Sequence, residues 1–546
     1  MQAHSPPNSL PPPSSAFLKG LLDPAAYPHP TGPIKLVETH ISWVFLTGDY
    51  AYKLKKPVSL GFLDFSTLQA RRDCCQEELR LNGRFAPELY LTSVPITGSA
   101  ARPQVEGAGE PIEWAVKLRQ FNEADQLDRL LEAGKLSAAD CEQLAVEIAG
   151  VAERLAVADP QQPWGSPQLF LSTVELNFEQ LVSARPETAG RAEQLRGWLA
   201  AELAARAGLL EDRRQAGKVR ECHGDLHLAN IVMHKGRPVA FDGIEFNESL
   251  RWIDVANDVA FLVMDLHARG RPDLAARVTS GWLEATDDHA AAAIMPLFAV
   301  YRAIVRAAVA AIRRKQASEA GNQTVVVKMD HESDRYLDLA DHLASPRQPR
   351  LFVTSGISGS GKTTVAGQVI ERCGAVRVRS DVERKRLAGL RPTERPTDDA
   401  ATAWLYSAAM TEQVYRRLVE LAGLLLDAGQ SVVVDATCLR RAQRAVFTEL
   451  ATVKQVPLTW LVCELPLAEL GRRIAARQAA GDDASDASAA VARNQLAALS
   501  RLSLRSAAGC QDLRLCQSAR GRQISSGYRG ENVVLTTFFS TIARRT

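Results

Sequence analysis

Short alternating runs of apolar and polar residues, ISWVFL, YAYKL and LYLTSVPI, lie between Ile34 and about Pro95, around a helix-like stretch from Ser66 to Phe85. Period-two runs beside one period-3.6 run predict a small α+β lobe. A further strand, EWAVKLRQF, spans Glu113 to Phe121. From there to about Leu343 the helical period dominates, broken by strand-like runs around Ile231 and Ala240, which predicts a larger helix-rich lobe. The longest apolar stretch, Ala290 to Ile312, contains Pro296, Arg302 and Arg306. Those residues are costly inside a bilayer, so a packed helix is expected rather than a membrane span. The polar stretch Ser345-Pro-Arg-Gln-Pro-Arg350 then gives way to an apolar strand at Leu351, the pattern of a domain boundary. LFVTSG and SVVVDAT, separated by helical stretches, predict the β-α alternation of a parallel sheet.

Composition narrows the class. With 546 residues the chain exceeds one ordinary core, and 46% hydrophobic with 23% charged residues is a globular balance. A net charge of +2 argues against a nucleic-acid coat or a membrane-surface protein. The charge is uneven: residues 501–546 carry eight Arg, no Lys and two acids, in a stretch rich in Ser, Gly and Cys where the β-α alternation has no clear continuation. An out-of-frame reading and a divergent basic tail both account for it. Nine scattered cysteines without a C-x-x-C pair suit reduced thiols and a cytoplasmic location. The first 33 residues hold nine prolines and no secretory pattern, so a disordered leader is expected.

Two constellations carry chemistry. In Cys222-His-Gly-Asp-Leu-His-Leu-Ala-Asn-Ile231 the residues His223, Asp225 and Asn230 stand at H-x-D-x-x-x-x-N spacing, followed by Asp242 after PVAFD. That set suits phosphoryl transfer, in which a carboxylate takes or orients the proton of an attacking hydroxyl while an amide oxygen and a second carboxylate hold Mg²⁺. Asp225 is the candidate base, Asn230 and Asp242 are candidate metal ligands, and His223 is a candidate orienting residue. His227 has no assigned role, and capping accounts for Asp254 and Asp258.

The second constellation is a strand followed by Gly356-Ile-Ser-Gly359-Ser360-Gly361-Lys362-Thr363-Thr364, a G-x-x-x-x-G-K-[ST] loop opening a helix. Glycine N–H groups and the helix N-terminus would receive phosphate oxygens, Lys362 would reach the outer phosphates, and the Thr363 hydroxyl would ligate Mg²⁺. Asp381 and Asp435 each close a predicted strand, at the sheet edge where such folds bind ligands. Asp381 is the candidate base for an acceptor hydroxyl and Asp435 a candidate metal ligand. An N-cap role is the competing account for each. Arg473 and Arg477, four apart on a predicted helix, could close over the phosphates or simply form an exposed cationic face.

The words HGDLHLAN, FDGIEFN and IDVANDVAFLVMDL resemble the aminoglycoside phosphotransferase family, over about Ile34 to Leu343, in the variant fused to a P-loop domain. The resemblance implies a strand lysine on the ATP phosphates, Lys53, held by a helix glutamate, Glu78, with Lys55 and Glu77 as alternatives. It also implies a hinge between Glu113 and Phe121. One departure is that only Gly48 lies where many kinases have several glycines. From Leu351 to about Leu499, the glycine loop, SD-x-x-RKRL, VVVDAT and RIAAR resemble gluconate-kinase-like P-loop kinases, a group similar to polynucleotide 5′-kinases.

The expected fold class is an α+β bilobal protein-kinase-like domain followed by an α/β P-loop domain with a parallel sheet. The expected boundaries are 1–33 for the leader, 34–343 for the first domain, 344–350 for the linker, 351–499 for the second and 500–546 for the tail. The expected activity is ATP- and Mg²⁺-dependent phosphorylation of small-molecule hydroxyls at two sites. Two alternatives stay open: a polynucleotide 5′-kinase, motivated by the basic run Arg377, Arg379, Arg384, Lys385 and Arg386, and a nucleotide-binding regulatory module without catalysis.

Overall fold

In this computed structural model of the chain, residues 15–39, 41–59, 64–392, 394, 396 and 398–464 are described, with the backbone of 511–518 and 521–525. The chain divides into two compact units, Met1–Gly270 with Met295–Ala344, and Arg271–Ile294 with Ser345–Thr546.

In unit 1, α1 (Ser15–Gly20) precedes strands β1 (Lys35–Glu38), β2 (Ser42–Leu46) and β3 (Tyr50–Lys55), then α2 (Leu68–Asn82), β4 (Tyr90–Ser99), β5 (Arg102–Val105) and β6 (Glu113–Arg119). The six strands form one antiparallel sheet in the order β1-β2-β3-β6-β4-β5. Side chains alternate across a strand, so Tyr52 and Leu54 of β3 face one side of the sheet and Lys53 and Lys55 the other. On the first side, Phe17, Leu21 and Tyr27 pack with Trp43, Phe45, Tyr52 and Leu54. This corrects the expected leader, because its part from Ser15 onward is ordered sheet covering. Prolines prevent strand pairing but not apolar burial. Residues 1–14 lie outside the described part.

The larger lobe holds α3 (Leu127–Glu132), α4 (Ala138–Ala152), α5 (Pro167–Ala184) and α6 (Ala189–Gln215). Short strands β7 (Val219–Glu221), β8 (Ile231–His234), β9 (Arg237–Ala240) and β10 (Trp252–Asp254) follow, before α7 (Val255–Ala268). β8 and β9 form a hairpin, and β7 pairs with β10. Helix α8 (Pro272–Thr286) belongs to unit 2, whereas α9 (Met295–Glu319) and α10 (Gln323–Ala344) return to unit 1. Helix α9 is long and apolar enough to cross a membrane, yet it is mostly buried and packs against α5, α7 and α10, as expected of a core helix.

Unit 2 is built on β11 (Leu351–Ser355), α11 (Lys362–Cys373), β12 (Val376–Arg379), α12 (Ser380–Leu387), α13 (Asp399–Leu405), α14 (Ala408–Asp427), β13 (Val432–Asp435), α15 (Arg441–Lys454) and β14 (Leu458–Glu464). Strands β12, β13, β11 and β14 are parallel in that order. β11 and β13 are buried at every position, as near-continuous apolar strands covered on both faces require. The backbones of β15 (Gln511–Ser518) and β16 (Gly521–Ser525) extend the sheet, β15 parallel to β14 and β16 antiparallel to β15. Sheet structure therefore reaches into the stretch expected to be an atypical tail. Its Arg/Ser/Gly-rich composition hid the continuation, since QDLRLCQS and GRQIS carry few of the β-branched and aromatic residues that mark a strand.

Residues 271–294 correct the expected domain boundary. Helix α8 buries Leu274, Ala275, Val278, Trp282 and Leu283, and it packs on α11 and β12. Ser280 Oγ accepts the Arg377 N–H at 3.0 Å. The Glu284 carboxylate takes Arg379 Nε at 2.8 Å and lies 3.6 Å from Arg377.

Candidate active sites

The first cluster in unit 1 sits on the loop between β7 and β8 and on the turn after β9. A Cβ at position 224 would stand 2.7 Å from the Leu250 carbonyl, and φ there is +82°, so only glycine fits beside Asp225. Asp258, on α7, accepts the His223 N–H at 2.8 Å and the Gly224 N–H at 2.9 Å. Asp258 thus braces the loop rather than capping a helix, which corrects the capping account. Asp254 does cap α7, through Ala256 N–H at 2.8 Å, and it pairs with Arg213. From α9, Arg302 donates to the Gly224 carbonyl at 2.9 Å and to Asn257 Oδ1 at 2.7 Å.

Within this frame Asn230 Nδ2 donates to Asp225 Oδ2 and to the Asp225 carbonyl, both at 3.0 Å. His227 Nε2 stands 3.4 Å from Asp225 Oδ2, and the Asp225 side chain keeps 37% of its surface exposed, so a ligand can reach it. Partial withdrawal from water raises the Asp225 carboxyl, but His227, Arg306 and His223 outweigh that effect and hold it well below the usual carboxylate range. His223 is buried, which lowers its basicity, and its Nε2 pairs with the Phe241 carbonyl at 2.9 Å. The enclosed imidazole thereby ties the loop to the end of β9.

Asp242 occupies the left-handed region at φ 63°, which short polar side chains tolerate best. Its N–H donates to Tyr90 OH at 3.0 Å, and the Gly243 N–H donates to Asn82 Oδ1 at 2.7 Å. Lys53 Nζ donates to Glu78 Oε1 at 2.7 Å and to the Asp242 carboxylate. Lys53, Glu78 and Asp242 therefore meet, although they lie far apart in sequence. Burial favours the neutral amine, but Asp242 and Glu78 raise Lys53 well above its ordinary range. Of the alternatives, Glu77 pairs instead with Arg80 and Arg251. Lys55, fully buried, pairs with Glu78 Oε2 at 2.5 Å and with Glu245. The expected hinge is the central strand β6 and its exit, where Phe121 packs on Phe241 with ring centroids 4.8 Å apart.

Unit 2 assembles the second cluster at the C-terminal ends of its parallel strands. A Cβ at Gly356 would lie 2.5 Å from the Cys463 carbonyl, so the loop can leave β11 only through glycine. Lys362 Nζ donates to the Ile357 carbonyl at 2.9 Å, across the loop formed by Gly356, Gly359, Ser360 and Gly361. Thr363 Oγ1 donates to Asp435 Oδ2 at 2.8 Å, and Thr364 follows in the first turn of α11. Burial pushes the Asp435 carboxyl up, against the pull of Lys362 and Arg377. Arg379 is in register with Asp435 across β12 and β13, which sets Asp381, in the first turn of α12, near the same strand ends. Arg473 and Arg477 lie outside the described residues.

Both clusters offer hard oxygen donors, Asn230 with Asp242 and Thr363 with Asp435, of the kind Mg²⁺ takes alongside phosphate oxygens and water. Among the described residues no group of three or more His, Cys, Asp or Glu side chains forms a metal cage. Two protein ligands per site suit a metal carried in on a nucleotide. Sequence reasoning gave Lys55 only as an alternative to Lys53 and Asp258 only as a cap, and it missed Glu245 and the bracing role of Arg302. They are buried ion-pair and brace positions with no motif spacing.

Residues 75–294 match the description "Phosphotransferase enzyme family", and residues 351–502 match "AAA domain". The relative "Uncharacterized protein Rv2004c" of Mycobacterium tuberculosis is 30% identical over 472 residues, covering 85% of this chain and 90% of its own length. The chain belongs to the phosphotransferase family. Mb2027c of Mycobacterium bovis matches this phosphotransferase to the same extent, 30% over 472 residues, 85% and 90%. Among solved structures, a choline/ethanolamine kinase family protein from Mesorhizobium loti is 12% identical, covers 60% of this chain and 99% of its own, and has a TM-score of 0.34. A gluconokinase from Sinorhizobium meliloti is 23% identical, covers 31% and 83%, and has a TM-score of 0.19.

Proposed function

We propose that the chain carries two ATP- and Mg²⁺-dependent sites, each transferring the γ-phosphoryl group to a hydroxyl of a small molecule. The observation that carries this reading is that three separate segments of unit 1 are tied together: Lys53 of β3 pairs with Asp242 after β9, Asn230 donates to Asp225 on the β7–β8 loop, and His223 of that loop bonds the Phe241 carbonyl beside Asp242. The acceptor oxygen bonds to the γ-phosphorus as the bond to the β,γ-bridging oxygen breaks. ADP leaves, and the hydroxyl proton passes to Asp225. Lys53, fixed by Glu78, neutralises phosphate charge, and Asn230 and Asp242 would hold the metal. A bound Mg²⁺ supplies charge neutralisation of the triphosphate.

In unit 2, backbone N–H groups from Gly356 to Thr364 and Lys362 would take the phosphates, Thr363 and Asp435 the metal, and Asp381 the acceptor proton. The basic run that left a nucleic-acid acceptor open as an alternative is engaged internally, which supports a small acceptor. Arg379 pairs with Glu284, Arg386 with Glu383, Arg384 donates to the Leu405 carbonyl and Lys385 to the Pro392 carbonyl. The test is transfer from γ-labelled ATP into a metabolite extract by the wild-type, Asp225→Asn and Lys362→Ala proteins. Each variant should remove a distinct set of labelled products, and excess EDTA should remove both. Unchanged labelling by the Asp225→Asn protein sinks the assignment in unit 1.

A further inference from the structure

A cavity of about 300 Å³ lies in unit 1 apart from the phosphoryl-transfer cluster, and none of Lys53, Glu78, Asp225, Asn230 and Asp242 lines it. One wall is α4 with the turn after it, where Leu144, Ile148, Val151 and Leu155 recur at helical spacing and so share a face. The other walls are the turn after α2, with Phe85, Ala86 and Leu89, and the β8–β9 hairpin, with Pro238, Val239 and Ala240. Cys222 and Leu226, which flank the segment from His223 to Asp225, complete the lining together with Asp258. Its carboxylates are all engaged. Glu88 is held by Lys235 and His234, Glu147 takes Arg237 at 2.7 Å, and Asp258 takes the His223 and Gly224 N–H groups. Of the cations, Arg84 pairs with Glu221 at 2.8 Å. Arg154 also lines the cavity, is exposed, and makes no side-chain hydrogen bond or ion pair among the described residues.

The hairpin connects this cavity to the chemistry. Asn230 immediately precedes β8 and Asp242 lies just beyond β9, so the two candidate metal ligands are the ends of a segment whose middle lines the cavity. Asp258 adds a second connection, because it holds the N–H groups just before Asp225. An apolar cavity of about 150 Å³ takes benzene, so this one has room for roughly twelve non-hydrogen atoms. We propose that it is an effector site for a small amphipathic anion, an apolar chain or ring whose carboxylate meets Arg154, and that its occupancy tightens Mg²⁺-bound ATP at the unit 1 cluster. A hairpin packed from behind leaves Asn230 and Asp242 fewer arrangements to lose when the metal arrives. A cationic ligand would meet no unengaged carboxylate in the lining. The coupling rests on the nucleotide reading of unit 1, whereas the cavity does not.

The experiment is calorimetry on the full chain with Lys362→Ala, so that nucleotide binding reports unit 1, with octanoate, octanamide and octylamine as probes. Octanoate should bind at a single site, octanamide about two- to fivefold more weakly, which is the contribution of one exposed ion pair, and octylamine more weakly still. Arg154→Ala should erase the difference between octanoate and octanamide and leave octanamide affinity as it was. Val151→Phe fills the cavity and should weaken both by at least about tenfold, while binding of a Mg²⁺-bound, non-hydrolysable ATP analogue shows that unit 1 is folded. Saturating octanoate should tighten that analogue about fivefold or more, and the analogue should tighten octanoate by the same factor. Absence of octanoate binding overturns the site, as does binding that Arg154→Ala and Val151→Phe both leave unchanged. Octanoate binding that leaves analogue affinity unaltered overturns the effector role. An analogue that fails to bind the Lys362→Ala chain at all overturns the nucleotide reading of unit 1 instead.

Discussion

Asp225 is held ionised by its neighbours, and that constrains its pH behaviour. Its carboxyl lies well below the usual carboxylate range because His227, Arg306 and His223 outweigh its withdrawal from water. The base should therefore be in its proton-accepting form throughout pH 5 to 8, and its titration should give the unit 1 kcat/KM profile no acid limb there. Asp225→Asn keeps the shape and removes the base, so kcat at that site should drop about 10²- to 10⁴-fold with little change in nucleotide affinity. Single-turnover kinetics in the Lys362→Ala background measure this; a loss below about fivefold, well under what a positioned base contributes, argues against the role.

Glu78 gives a stability prediction with a defined sign. Burial opposes its charge, but Lys53 and Lys55 prevail and hold the carboxyl at about 2. The folded value is depressed relative to an unfolded value of about 4.3, so its contribution is complete above that pH and fades as pH falls toward 2. Glu78→Gln leaves two buried ammonium groups undercompensated and should cost unit 1 about 3 kcal/mol or more at pH 7. The gap between wild type and variant, read from urea unfolding followed in unit 1, should narrow between pH 5 and 3. A gap that stays constant over that range contradicts the assignment. At this scale the sequence made Asp225, Asn230, Asp242 and Lys362 visible because their chemistry fixes their spacing. Glu245 stayed hidden, and Lys55 stood only as an alternative to Lys53, because a buried pair 190 residues apart imposes no local pattern.

Among elements, α8 shows what periodicity leaves open. Its apolar stripe is readable from the sequence, but a stripe states that a helix is buried and not which sheet buries it. In the chain it lies between two helices of unit 1, yet its buried face and Glu284 engage β12, α11 and the arginines around α12. Burial raises the Glu284 carboxyl, but Arg379 and Arg377 bring it below its ordinary range. Removing it by Glu284→Ala deletes the carboxylate that those arginines share, an effect on the order of 3–5 kcal/mol for a buried pair. Hydrogen exchange on the full chain should then accelerate in β12 and α12 while β3 and α2 are unchanged. Equal protection in wild type and variant would mean that α8 does not anchor that edge of the sheet. The covering segment from Ser15 to Tyr27 was missed for a related reason. Proline content signals a lack of regular structure, whereas Phe17, Leu21 and Tyr27 signal burial, and only packing decides between them.

For the whole molecule the decisive quantity is the number of nucleotides bound. Each cluster combines a lysine, an oxygen-donor pair and a conformationally restricted turn, and the two clusters lie in different compact units. Neither borrows a described side chain from the other, so their affinities for a Mg²⁺-bound, non-hydrolysable ATP analogue should be separable by substitution. Calorimetry on the wild-type chain should give a stoichiometry of two. Lys53→Ala, which removes the phosphate-facing ammonium of unit 1, should leave the unit 2 event, and Lys362→Ala the converse. The double variant should show neither within the measurable range, and chelation of the metal should weaken both events in the wild type. A stoichiometry of one that Lys362→Ala abolishes would make unit 1 a non-nucleotide domain. One that survives Lys362→Ala but not Lys53→Ala would assign the P-loop unit a role other than ATP binding. Additive loss, with each variant leaving the other event's enthalpy unchanged, is the expected result, because sites with no shared partner add.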